Sequence, residues 1–301
     1  MSEKLITHIK KNFMGHFKGV WVNPGNVPKD IPSFPERKTH ILELLHNLPT
    51  YDFMGLTELR DNGNDNIINE WLSNLCKLDY DYIKMWNNAL PKRFAVGLVY
   101  NKNKLHAIDV KYEYIDSPTI KNNRQLLCVK LAPICDGLIN LEKTFWVLLT
   151  HLHIQKDDNE NQVLWLRDNC SKITNNEPHI IMMDANWFHD THSDMHFDHM
   201  RDKYIDAFSE NGSFDLDTNI PIVSTFVGFE NCAYRKKDIW LLNDVFDDNN
   251  NLIDCPSVLD RVLLYKNQNN YTISNTKICT RKINNAYVCD HLPLIFDLNI
   301  L

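Results

Sequence analysis

The sequence predicts a globular domain that contains both strands and helices. Short apolar runs rich in β-forming residues, such as 145–149 and 179–183, are typical of buried strands. The segments 37–47 and 67–78 instead carry apolar residues at helical spacing. Patches rich in Asn and Asp, as at 61–66, have the composition of surface loops and not of interdomain linkers. We therefore predict one domain over residues 1–301.

Composition and charge are those of an ordinary globular protein. Hydrophobic residues make up 44% of the chain and charged residues 24%. The formal net charge of −7 argues against tight, nonspecific binding of long duplex nucleic acid, which normally requires a basic face. It does not exclude a nuclease, because a carboxylate-rich metal site itself contributes negative charge.

The lack of a visible secretory signal and the pattern of cysteines lead us to expect an intracellular protein, cytoplasmic or nuclear. No apolar run is long enough to span a membrane, and no apolar segment follows the first residues as in a secretory signal. The eight cysteines are scattered without a CxxC pair, and several lie in apolar runs. We expect reduced thiols. Disulfides are the alternative that the even number leaves open.

Five short segments place polar residues at the ends of apolar runs: Leu56-Thr57-Glu58, Thr150-His151-Leu152, Met183-Asp184-Ala185-Asn186, Leu259-Asp260-Arg261 and Asp290-His291. Unpaired carboxylates are costly in a core, whereas strand ends that converge on one rim commonly carry catalytic groups. A carboxylate beside an imidazole can act as a general base with its orienting partner.

Each segment taken alone also has an ordinary explanation. Glu58 could be a solvated loop residue, and His151 a buried, hydrogen-bonded histidine. Asp184 with Asn186 could close a strand as an Asx turn. Asp260 and Arg261 could form a surface ion pair.

In this order, the segments resemble the motifs of the endonuclease/exonuclease/phosphatase superfamily, the DNase I-like proteins, over residues 17–300. The segment 224–229, Ser-Thr-Phe-Val-Gly-Phe, is similar to a further motif of some bacterial members. Two departures are visible. Met183 replaces the glycine that precedes the family's Asp-x-Asn, and the asparagine that ends strand one is either Asn23 or, across the Pro24-Gly25 turn, Asn26. The implied fold is α+β, a two-sheet β-sandwich flanked by helices in four layers.

The resemblance implies a phosphodiesterase that uses Mg²⁺ or Mn²⁺ and cleaves its substrate by water attack. The implied metal ligands are Glu58, Asn23 and Asp290, which offer the oxygen atoms that Mg²⁺ prefers. The implied catalytic residues are His151, Asp184, Asn186, Asp260 and His291.

The resemblance also implies a role for each catalytic residue. Asp184 would polarise the attacking water, and Asn186 would bind a phosphate oxygen. His291, oriented by Asp260, would contact the phosphoryl group or act as a base. His151 would bind the scissile phosphate or assist the leaving group.

The expected substrate is a nucleic acid, cleaved by a nuclease or by an end-processing phosphodiesterase. Trp187 could stack on a base or sugar, Arg93 could meet an additional phosphate, and Asn23 could contact substrate as well as metal. The alternatives are an inositol-phosphate, nucleotide or lipid phosphoesterase, and a non-catalytic scaffold of the same fold.

One segment is not explained by the resemblance: residues 188–199 contain His189, His192, His196 and His199. We expect a polar surface segment that is dispensable for the chemistry. Binding of a transition metal and a pH-dependent contact with substrate are the alternatives.

Overall fold

Two β-sheets packed face to face form the framework of the protein. The computed structural model describes residues 15–24, 34–60, 65–76, 79–87, 94–116, 123–186, 199–208, 212–219, 225, 259–266, 270–283, 289 and 291–301. The elements in chain order are β1 (Gly15–Val22), α1 (Phe34–His46), β2 (Phe53–Arg60), α2 (Asp65–Cys76), β3 (Tyr80–Trp86), β4 (Phe94–Asn101), β5 (Leu105–Ile115), β6 (Arg124–Cys135), β7 (Leu138–Ile139), β8 (Phe145–His151), α3 (Lys156–Ile173), β9 (His179–Asp184), β10 (Tyr204–Asp206), β11 (Phe214–Asp215), β12 (Asp260–Tyr265), β13 (Tyr271–Ile278) and β14 (Leu294–Ile300).

The first sheet has the strand order β11-β13-β14-β1-β2-β4-β3, and the second has the order β10-β12-β9-β8-β6-β5, with β7 paired to β6. Strands β1 and β2 are parallel, as are β8 and β9, while β12 runs antiparallel to β9. The carboxyl ends of β1, β2, β8 and β9 therefore meet the beginning of β12 at one end of the sandwich.

Alternation along the strands divides the apolar residues among three clusters. The inner faces of both sheets form the central core, to which Trp21, Phe53, Leu149 and Phe296 belong. Helices α1 and α2 cover the outer face of the first sheet, and α3 covers the outer face of the second. The layers are thus helix, sheet, sheet and helix, which confirms the predicted α+β sandwich.

The two helix predictions also agree with the structure. The helical spacing at 37–47 and 67–78 corresponds to α1 and α2, with ends that differ by one to three residues. Among the described residues, no helix is long and apolar enough to cross a membrane. The described cysteines are free thiols: Cys76, Cys128, Cys135, Cys170, Cys279 and Cys289.

Candidate active site

Strand register brings the predicted site residues to one end of the inter-sheet space. Asp184 at the end of β9 lies opposite His151 at the end of β8 and opposite Asp260 at the start of β12. Trp21 and Asn23 are two residues apart on β1 and its extension, so both side chains point to the same side of the first sheet. All five residues are buried.

Asp184 is held by donors from two directions. Asn23 Nδ2 donates to its Oδ2 at 2.8 Å, and the backbone N–H of Asn186 donates to its Oδ1 at 2.7 Å. Carboxylates placed directly opposite one another on paired strands repel, and Asp184 faces Asp260 in this way. Neighbouring donors are therefore needed to keep both acids buried in these positions.

Asp260 and His291, which the sequence suggested as an orienting pair, lie in hydrogen-bond contact. His291 Nδ1 donates to Asp260 Oδ2 at 2.7 Å, and His291 Nε2 lies 3.8 Å from Asp184 Oδ2. Thr225 links the two segments that carry the pair, because its hydroxyl accepts from the backbone N–H of Asp260 and its carbonyl accepts from that of Leu292. Asp260 does not pair with its neighbour Arg261, so a surface ion pair does not explain its presence.

His151 lies between two carboxylates. Its Nδ1 is 3.5 Å from Glu58 Oε1 and its Nε2 is 3.6 Å from Asp184 Oδ2. Burial, together with the positive charge of Arg124, holds the pKa of His151 well below its usual range. The ring is therefore neutral near pH 7. Asn186 Nδ2 donates to Nε2 at 2.5 Å, which leaves the Nδ1 proton directed toward Glu58.

Glu58 reaches the site because of a β-bulge. The pairing of β2 with β4 shifts register between Leu56 and Leu59, and Glu58 adopts a φ of 50°. Leu56 and Leu59 are three residues apart, yet both pack in the cluster between the first sheet and helices α1 and α2. The extra residue turns the Glu58 side chain toward His151 instead of the outer face, in the way that bulges commonly redirect side chains. The left-handed φ is unusual for glutamate and is typical of strained functional positions.

Asn186, which follows β9, also has a left-handed backbone conformation. Its φ is 47°, and its side-chain amide donates to the carbonyl of Leu152 at 2.8 Å as well as to His151. Asn159 Nδ2, near the start of α3, donates to the carbonyl of Ala185 at 2.6 Å and so fixes the loop from the other side. Met183, which stands where the family has a glycine, fits before Asp184 because its side chain packs in the cluster between the second sheet and helix α3.

Arg124 is a site residue that sequence reasoning missed. It starts β6, and its buried Nε has no hydrogen-bond partner among the residues that the structure describes. Burial lowers its pKa, while the negative charges of Glu58 and Asp184 act in the opposite direction. A partly buried guanidinium whose buried Nε lacks an acceptor is suited to an anionic oxygen atom. The available signal was an arginine at the start of a largely apolar strand.

Within the described part of the chain, two overlapping groups of side chains have the spacing of a metal site. Glu58, His151 and Asp184 offer ligand atoms within 4.8 Å of one another, and so do Asp184, Asp260 and His291. Carboxylate oxygens with one imidazole suit Mn²⁺ and, with added water, Mg²⁺. Glu58 and Asp184 of the first group fit the implied cation, whereas His151 Nε2 already accepts from Asn186 and its Nδ1 proton points toward Glu58. Asn23 adjoins the first group through its hydrogen bond to Asp184.

Several predicted residues lie outside the described part of the chain: Arg93, Trp187, Asp290, Asn26, His189, His192 and His196. Their predicted roles stay predictions. His199 is described, and its Nε2 lies 3.8 Å from Glu160 Oε1 on α3. Its side chain is 37% exposed, so this contact is at the surface.

Comparisons with known proteins identify the architecture. No family model matches the sequence, and no curated protein matches it by sequence. Solved structures do match. An endonuclease/exonuclease/phosphatase family protein from Bacteroides thetaiotaomicron superposes with a TM-score of 0.66 at 14% identity, covering 96% of this chain and 100% of its own. The chain has the endonuclease/exonuclease/phosphatase fold.

Two other structures with this fold differ in the molecule that the protein is named for or is bound to. The mannosyl-6-phosphatase of B. thetaiotaomicron VPI-5482 superposes with a TM-score of 0.64 at 14% identity, covering 94% of this chain and 99% of its own. TDP2 from D. rerio, complexed with a single-strand DNA product, has a TM-score of 0.64 at 13% identity, with coverage of 94% and 99%. Identities this low establish the shared fold and leave the reaction to the site residues.

Proposed function

We propose that the protein is a metal-dependent phosphoesterase, and that its substrate is a phosphodiester in nucleic acid, cut internally or at a processed end. The observation that carries the proposal is the continuous series of contacts through Asp184. Glu58 contacts His151 at 3.5 Å, His151 contacts Asp184 at 3.6 Å, and Asp184 contacts His291 at 3.8 Å. One cation and one phosphoryl group would bind against these side chains.

Each residue has a task that follows from its contacts. Asp184, fixed on both oxygens, is placed to accept a proton from water. His291, oriented by Asp260, presents Nε2 toward the same region and can hold or transfer a proton there. Asn186 and His151 border the same region, and either would donate an N–H to a phosphoryl oxygen if substrate binding displaced the bonds that these groups now make to each other, to the Leu152 carbonyl and toward Glu58. A divalent cation held by Glu58 with Asp184, and by Asn23 and Asp290 as further proposed ligands, would neutralise the charge that develops on the phosphate.

Arg124 adds a reason to favour an anionic substrate. The carboxylates of the site repel a phosphate, so the site needs fixed positive charge to bind one. Arg124 supplies that charge, and it is close enough to Glu58 and Asp184 for their negative charges to raise its pKa. Arg124→Met should lower kcat/KM by about tenfold or more, because a charge-assisted hydrogen bond contributes about 1.5–3 kcal/mol. The matched control is Arg167→Met, which removes an arginine bound to Asp168 at the surface of α3.

The test is a panel of substrates assayed with Mg²⁺ and again after chelation. The panel contains single-stranded DNA, RNA, duplex DNA with an abasic site and DNA with a 5′ adduct, beside inositol phosphates and mannose 6-phosphate. We expect metal-dependent cleavage of a nucleic-acid diester. Full turnover in chelator, or no turnover of any phosphoester, would refute the proposal.

A small phosphorylated molecule is the second candidate, as an inositol phosphate, nucleotide, lipid headgroup or sugar phosphate. The net charge of −7 favours it, because a long polyanion would be repelled. The mannosyl-6-phosphatase, which has the same fold, acts on a substrate of this kind, as its name states. Preferential hydrolysis of the small esters in the same panel would select this candidate.

A further inference from the structure

The indole of Trp21 reaches from one sheet to the other at the site. Its Nε1 donates to Asp260 Oδ1 at 2.8 Å, while Oδ2 of the same carboxylate accepts from His291 Nδ1 at 2.7 Å. Trp21 belongs to β1 in the first sheet and Asp260 to β12 in the second. Both side chains are completely buried. The bond therefore crosses the sandwich in a region that solvent does not reach.

The neighbouring strand leaves space for this ring. Gly55 is the register partner of Trp21 on β2. A Cβ at Gly55 would lie 2.7 Å from Trp21 Cε3 and 2.8 Å from Leu149 Cδ2, both closer than real contacts allow. Any side chain at position 55 would push the indole or Leu149 out of place. The glycine therefore keeps the Trp21 ring where its N–H meets Asp260.

The second oxygen of Asp260 needs such a donor for two reasons. A buried carboxylate oxygen without a partner is costly, and Asp260 also faces the negative charge of Asp184. Hydrogen bonds on both oxygens fix the plane of the carboxylate, and that plane fixes the imidazole of His291. With one bond removed, the carboxylate can turn about its terminal torsion, which has only broad energy minima.

We propose that Trp21 is a positioning residue, which fixes Asp260 and through it directs His291 Nε2 toward Asp184. The catalytic consequence rests on the proposed phosphoesterase function, whereas the hydrogen bond itself does not. Trp21 does not contact substrate in this proposal. The distinguishing expectation is a loss in kcat with little change in KM, because orientation of the pair matters in the transition state and not for substrate binding.

The activity test compares two buried tryptophans. Trp21→Phe keeps an aromatic ring and removes the N–H donor together with part of the ring volume, a loss of volume that the control variant shares. Trp71→Phe is the matched control, because Trp71 is equally buried and donates to the carbonyl of Lys38, away from the site. We expect Trp21→Phe to lower kcat by about tenfold or more, with KM within about twofold, since tenfold corresponds to about 1.4 kcal/mol. An equal loss of kcat in the two variants would overturn the proposal.

A spectroscopic test works without any activity. The chain has seven tryptophans, whose indole N–H signals can be assigned by through-bond NMR of the labelled parent protein. In Asp260→Asn, the Trp21 signal should move upfield, since a neutral oxygen is a weaker acceptor than a carboxylate oxygen. The Trp71 signal should stay within the scatter of the others. A Trp21 signal that moves no more than that of Trp71 would overturn the proposal, even if Trp21→Phe fails to fold.

The two tests separate this proposal from the proposed function. If the parent protein hydrolyses no phosphoester but the Trp21 signal responds to Asp260→Asn, the function is wrong and the positioning bond stands. If the parent is active but the signal does not respond, the function stands and Trp21 has no positioning role.

Discussion

Replacing Glu58 by Gln should stabilise the metal-free protein and weaken its response to metal. The ligand atoms of Glu58 and Asp184 lie within 4.8 Å of one another. Two unit charges at that separation repel by about 3 kcal/mol at an effective dielectric constant of about 20. The attraction between Arg124 and Glu58 offsets part of this repulsion. We therefore expect Glu58→Gln to raise the free energy of unfolding of the metal-free protein by about 1 kcal/mol.

The same change should act in the opposite direction when metal is present. A bound cation stabilises the folded state by RT ln(1 + [M]/Kd), so each tenfold loss in affinity removes about 1.4 kcal/mol at saturating metal. Glu58→Gln loses one anionic ligand and keeps a weaker neutral one. The gain in unfolding free energy on adding Mg²⁺ should therefore be smaller in Glu58→Gln than in the parent by at least about 1.4 kcal/mol.

The measurement is urea unfolding of the parent and the variant, each with chelator and with Mg²⁺. Glu70→Gln serves as the control, because the Glu70 side chain is 66% exposed on α2 and lies 3.7 Å from Lys38. It should leave both the metal-free stability and the metal response close to those of the parent. If Glu58→Gln responds to Mg²⁺ as strongly as the parent does, Glu58 is not a metal ligand and the reasoning fails.

Three further results follow from the contacts. Asp260→Asn and His291→Gln should each lower kcat, and the double variant should lose about as much as either alone, whereas additive losses in steady-state kinetics would show independent roles. Gly55→Ala should cost about 1–3 kcal/mol of unfolding free energy in urea and also lower kcat by displacing Trp21; a neutral effect on both would contradict the packing argument. Burial lowers the pKa of His179 to about 4. Between pH 6.5 and pH 4 the unfolded protein therefore binds a proton at this histidine that the folded protein does not, and the free energy of unfolding falls by at most about 3 kcal/mol over that range. Urea midpoints between these pH values should therefore fall less steeply in His179→Gln than in the parent.

The sequence was sufficient to predict the β-sandwich and the polar residues that meet at its end, because both depend on local patterns. Strand alternation and helical spacing identify the elements, and polar residues that end apolar runs indicate the rim. Glu58 shows where this reasoning stops. Simple alternation from Leu56 would direct Glu58 outward, and only the bulge between Leu56 and Leu59 turns it toward His151. A register shift depends on both paired strands, so β2 alone does not reveal it.

Trp21 and Arg124 escaped prediction for a related reason. A tryptophan within an apolar strand is normally explained by core packing, and Trp21 does pack in the central core. Its polar function depends on the meeting of its N–H with a carboxylate 239 residues away in the other sheet. That meeting requires the registers of both sheets and the space left by Gly55. Arg124 likewise becomes unusual only once its burial is known, because an arginine at a strand end is ordinarily solvated. The contacts that orient Asp260 and His291 are thus properties of the packed sandwich, whereas the two residues themselves are visible in the chain as candidates.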